Sequence, residues 1–124
     1  MRHAPGPVRA GARPGGAPAR PRDLRRGRRR KGAARLLSIA RSDTGQSRRV
    51  AGFILAWWNA VDLGGFDIAD LFAVDEAIAH DMATVFAYVA GRPVAEYPEA
   101  YRTEIEDVIQ QWRPDVWAKA TETA

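Results

Sequence analysis

QSRRVAGFILAWWNAV, residues 46–61, is the stretch whose reading decides the fold. Val50, Phe53, Ile54, Trp57 and Val61 fall at i, i+3, i+4, i+7 and i+11, a full face of an α-helix. Ala51, Leu55 and Trp58 lie on the opposite side, so adjacent Trp57 and Trp58 point in different directions. A helix that is apolar all round is normally central and buried. Leu55 and Trp58 therefore lie either under another helix or in a surface that meets a partner protein or a second copy of the chain, since tryptophan is enriched at interface hot spots. The helix closes at Gly64-Gly65, where the missing Cβ makes a positive φ easy to adopt.

Working outward, the same periodicity gives four further helices. The first, about 33–42, places Leu36, Leu37 and Ala40 on one stripe and ends toward the turn signal Asp43-Thr44-Gly45. A short one, about 68–73, has Asp67 as N-cap, Asp70 near its start, and Ile68, Leu71 and Phe72 as its apolar side. Asp75 caps the next, which runs to about Ala90 with Ile78, Met82, Val85, Phe86 and Val89 in line, before Gly91 and Pro93. The last starts at Pro98, buries Tyr101, Ile105, Val108, Ile109 and Trp112, and stops at Arg113-Pro114, with a terminal turn over 115–119 carrying Trp117. Nothing alternates with period two for long enough to be a strand. The predicted fold is all-α, a compact bundle of about five helices with a disordered basic N-terminal tail. Trp57 is expected in its core with Phe53, Ile54, Met82 and Phe86.

Charge divides the chain at residue 31. Residues 1–31 hold eleven basic residues against Asp23, a net of +10, and residues 32–124 hold eight basic against fourteen acidic, a net of −6. The first stretch also holds five of the eight prolines and no aromatic residue, so it buries too little to offset its ordering entropy and reads as disordered. Residues 32–124 read as one acidic helical domain, burying about 60% of its unfolded surface. Two readings of the tail stay open. Arg25, Arg26, Arg28, Arg29, Arg30 and Lys31 suit nucleic-acid contacts by counterion release. Alternatively, an Arg/Pro/Gly/Ala mixture is what GC-rich DNA yields when translated from a start codon placed too far upstream. The segment has no apolar region of the kind a secretory signal needs.

The chain contains no cysteine, so neither a disulfide nor a thiolate site exists. No apolar run approaches the roughly 18 residues of a membrane span, and the chain reads as a cytoplasmic protein without a membrane partner. Glu76 and His80 share a helix face, and a metal there would need Asp62, Asp67 or Asp70 as well; a solvated pair is the expected reading. Asp62, Asp67, Asp70 and Asp75 lack the order of a calcium loop. Gly64-Gly65-Phe66-Asp67 lacks the spacing and lysine of a phosphate loop, and Ser42, Thr44 and Ser47 have no histidine placed as a base. No catalytic residue, cofactor site or metal site is expected.

The ordered string Asp43-Thr44-Gly45-Gln46-Ser47-Arg48-Arg49-Val50, Trp57-Trp58-Asn59-Ala60, Gly64-Gly65-Phe66-Asp67, Asp70-Leu71, Val74-Asp75 and Trp112-Arg113-Pro114 resembles a small domain family of unknown function from bacterial plasmids and integrative elements. The resemblance covers about residues 33–117 and leaves out the arginine-rich tail. It brings no activity, cofactor or catalytic residue. It implies a mobile-element accessory protein acting on host or element-encoded machinery. The expected function is a non-enzymatic helical interaction module with a protein partner, of which an acidic inhibitor of host defence is one form. A homodimer through Leu55 and Trp58 is a variant of it, and nucleic-acid binding through the basic arm is the alternative.

Overall fold

In the computed structural model the described residues are 21–122, with side chains described from Lys31 onward. Five α-helices follow one another: α1 (Pro21–Ala40), α2 (Gly45–Leu63), α3 (Glu76–Ala90), α4 (Arg102–Trp112) and α5 (Pro114–Glu122). Two 3₁₀ segments, Ile68–Ala73 and Glu99–Tyr101, precede α3 and α4, and no strand occurs among the described residues. Helix α1 packs on α2, α3 and α4, while α4 also packs on α2 and carries α5. The fold is all-α.

The core is the set that the helical stripes bring together. Leu36, Leu37 and Ala40 of α1 meet Val50, Ala51, Ile54 and Leu55 of α2, with Ile78, Met82 and Val85 of α3 and Ile105, Val108 and Ile109 of α4. Thr44 caps α2, its hydroxyl accepting from the Ser47 amide at 3.0 Å. Asp67 caps the 3₁₀ segment through the Ala69 amide at 3.0 Å. Gly64 ends α2 at φ +99°, the backbone that its lack of a Cβ permits. The end of α4 then ties down the carbonyls that two other helices leave free. Trp112 Nε1 donates to the Ala40 carbonyl at 2.7 Å, Gln111 to Ser42 at 2.8 Å, and Arg113 Nε to Leu63 at 2.8 Å. A cation at the C-terminus of α2 also offsets the helix dipole there.

Several expectations change. Helix α1 starts at Pro21 rather than near residue 33, so residues 21–31, read from sequence as tail, are its first eleven. Proline suits a first helical turn, and arginine, leucine and lysine are strong helix formers that extend a helix nucleated by packing at 33–40. The remainder of the tail, 1–20, lies outside the described residues. Phe72 is 94% exposed, because a 3₁₀ segment repeats every three residues and turns it off the face that Leu71 presents to the core, and Ile68 at the start of the segment is exposed as well. Phe86 is exposed (68%) and does not join Trp57. Asp75 gives α3 no side-chain cap. Its carboxylate accepts from Gln46 Nε2 at 3.3 Å while its amide donates to Gln46 Oε1 at 2.6 Å, joining the starts of α2 and α3 instead.

Candidate functional site

The unusual feature of α2 is a break. Asn59 leaves helical geometry (φ −168°, ψ 83°), and the helix resumes for one more turn. Asparagine is suited to this position because its short amide can cap a helix start. Asn59 Oδ1 accepts from the Asp62 amide at 3.2 Å and Nδ2 donates to the Asp62 carboxylate at 2.9 Å. The restarted turn is out of phase with the stripe before it. Leu63 is buried, and Val61, which an unbroken helix would put under the bundle, is 95% exposed.

Beside this break the two tryptophans part. Trp57 is half-buried and donates Nε1 to the Glu96 carbonyl at 2.9 Å, which fastens the 91–98 connection across α2. Glu96 is held in turn by the Tyr88 hydroxyl (2.9 Å) and Arg92 Nε (2.9 Å), and the Arg92 guanidinium lies 5.4 Å from the Tyr88 ring centre. Trp58 is half-buried on the other side, with the Arg102 guanidinium 5.0 Å from its ring centre; Arg102 is steadied by Glu99 at 2.8 Å. Between them Trp57, Trp58, Asn59, Val61, Tyr97 and Glu99 line an open groove of about 460 Å³. Such a groove can take an apolar side chain and offer it aromatic faces, a carboxylate and an amide. It carries no nucleophile–base pair.

Of the two residues singled out as a partner surface, only Trp58 reaches this groove. Leu55 is fully buried (0% exposed) under its helical neighbours, so it belongs to the core and is withdrawn from any surface. Arg25, Arg26, Arg28, Arg29, Arg30 and Lys31 all fall within α1, and Lys31 is exposed. Glu76 and His80 form a solvent-exposed pair at 3.7 Å. Asp62, Asp67, Asp70 and Asp75 are engaged with Asn59, the Ala69 amide, Arg49 (3.4 Å) and Gln46 respectively. Among the described residues no cluster of three or more histidine, cysteine or acidic side chains is placed to hold a metal ion. No helix there is long and apolar enough to cross a membrane.

The sequence reading missed Asn59, Glu96 and Tyr97, and with them the groove. It also missed Asp81, which accepts both Arg35 Nε (2.8 Å) and Arg35 Nη2 (2.6 Å) and clasps α3 to α1. Hydrogen bonding from Asp81, then its charge, raises the arginine pKa above its ordinary value. On the arginine side, this contribution is in place below the arginine range and is lost as pH rises through it. Two signals were available: Asn59 stands three residues before Asp62, a capping spacing, and Asp81 sits inside the stripe formed by Ile78, Met82 and Val85.

Helices alone, a broken central helix and an open aromatic groove define a small all-α domain. The chain belongs to the family of unknown function DUF7673, which matches residues 30–113. No curated protein and no solved structure matches it. The match takes in the core half of α1, the broken α2, and α4 to Arg113, and so holds the whole groove.

Proposed function

We propose that this domain is a non-enzymatic protein-interaction module whose contact surface is the groove at the α2 break. The observation that carries it is the group of apolar and aromatic side chains left open there, with Val61 95% and Tyr97 50% exposed beside half-buried Trp57 and Trp58. Hot spots of protein interfaces favour tryptophan and tyrosine that a bound partner desolvates fully. A net charge of −6 over residues 32–124 selects a partner segment that is apolar at its tip and basic around it. In its finer form the reading makes the chain a mobile-element accessory protein. Its acidic surface would then block a nucleic-acid-binding component of host defence by imitating the charge of nucleic acid. Paired Val61→Glu and Tyr97→Ala substitutions test the module. Proteins retained from the source cell by the wild type should be lost by this variant, with its helicity and melting unchanged. Equal retention would contradict the reading.

The path of α1 favours a second reading, nucleic-acid binding through the basic arm. Its cationic residues continue the helix that anchors in the core.

A further inference from the structure

Resting on that second reading, we infer that the first half of α1 engages duplex DNA as a helix, held in register by its anchored second half. Residues 21–31 include Arg22, Arg25, Arg26, Arg28, Arg29, Arg30 and Lys31 against a single acid, Asp23. They are helical, and continuous with residues 33–40, where Ala33, Leu36, Leu37 and Ala40 are buried. The arm therefore extends from a fixed base, and at 1.5 Å per residue it is about 16 Å long.

Residue propensity and propagation from 33–40 support the arm's helix, and its own sequence adds no amphipathic pattern to them. Leu24 is its only large apolar residue, so it has no stripe to bury. Arg22 and Arg26, Arg25 and Arg29, and Arg26 and Arg30 stand at i,i+4, where like charges oppose the helix. The complement to such a helix is a dense array of negative charge. A duplex supplies one roughly every 1.7 Å along its axis, and a phosphate contact releases condensed counterions. The B-form major groove, about 12 Å wide, admits an α-helix of about 10–12 Å diameter. A-form RNA, with its narrow major groove, does not. The arm has no asparagine or glutamine to read adenine, and its arginines suit phosphates and guanine edges alike, so charge supplies most of its affinity. The −6 body repels the same duplex and leaves the arm as the point of entry.

Gly27, in mid-arm, allows a test that leaves every charge in place. Gly27→Ala strengthens the helix and Gly27→Pro breaks it, and neither touches the packed half. Binding of the full chain to a short DNA duplex, followed by fluorescence anisotropy, should tighten about fivefold in Gly27→Ala and weaken roughly tenfold or more in Gly27→Pro. With six contacts or more, wild-type affinity should fall about 10³-fold or further between about 50 and 200 mM salt. Melting curves for the two variants should overlay that of the wild type and so exclude misfolding. If Arg28, Arg29 and Arg30 changed together to alanine leave the affinity unaltered, the arm does not bind nucleic acid and the reading beneath this inference fails. If that triple change weakens binding while Gly27→Ala and Gly27→Pro bind alike, the arm is a flexible polycation and the helical inference alone is overturned. Equal affinity for single-stranded DNA and the duplex would overturn it as well.

Discussion

In α1, residues 33–40 deliver Ala33, Leu36, Leu37 and Ala40 to the core, whereas residues 21–31 deliver seven basic residues and one leucine. Both stretches are helical. The first is helical because burying an apolar stripe rewards that geometry, at roughly 25 cal/mol per Å² removed from water. The second borrows its geometry from the first by propagation, which costs far less than nucleation. The same contrast recurs in α2. Up to Trp58 its residues serve the core, and beyond Asn59 the backbone spends one turn presenting Val61 to solvent. In both helices the part that packs is specified by its apolar period. Where that period is missing or reset, as in residues 21–31 and at Val61, the helix carries charge or an exposed apolar group instead.

Breaking the packed side should have the largest effect. Leu55→Ala removes a fully buried side chain and should cost about 2–5 kcal/mol, a large share of the stability of a small domain. Urea denaturation followed by circular dichroism measures this, and a loss below about 1 kcal/mol would place Leu55 outside the sealed region. Asn59→Ala removes the cap of the last α2 turn and should cost about 0.5–2 kcal/mol, with hydrogen exchange quickening at residues 60–63 first. Trp57→Phe keeps the ring but deletes the bond to the Glu96 carbonyl. A loss of about 1 kcal/mol should result, with faster exchange across 91–98. The smallest effect belongs to the arm. Gly27→Pro should change global stability by under about 0.5 kcal/mol, since residues 21–31 carry no apolar stripe.

Where a side chain's fate follows from helical period, the sequence was a good guide. Leu36, Leu37, Ala40, Val50, Ile54, Ile78, Met82, Val85, Ile105, Val108 and Ile109 were all legible as core. The errors share a cause, which is that a period presumes an unbroken helix. Val61 was misplaced because Asn59 resets the phase, and Phe72 because a 3₁₀ segment obeys a different repeat. Leu55 was legible as apolar, but its choice between core and surface depended on which helices cover α2, a tertiary fact. The groove was legible only through Trp58. Tyr97 and Glu96 lie in a connection with no period and join Trp57 across 39 residues of sequence in the case of Glu96. The arm's charge was plain, but not its helicity, because charge carries no information about fold.

That α1 is one helix under two regimes is tested most directly by amide hydrogen exchange of the full chain. Alone, residues 33–40 should exchange only through global unfolding, while residues 21–31 should exchange through local opening, orders of magnitude faster. On addition of a short DNA duplex at low salt, exchange at 21–31 should slow, with 33–40 unchanged. Protection of 21–31 equal to that of 33–40 without DNA, or no slowing with it, would contradict the account.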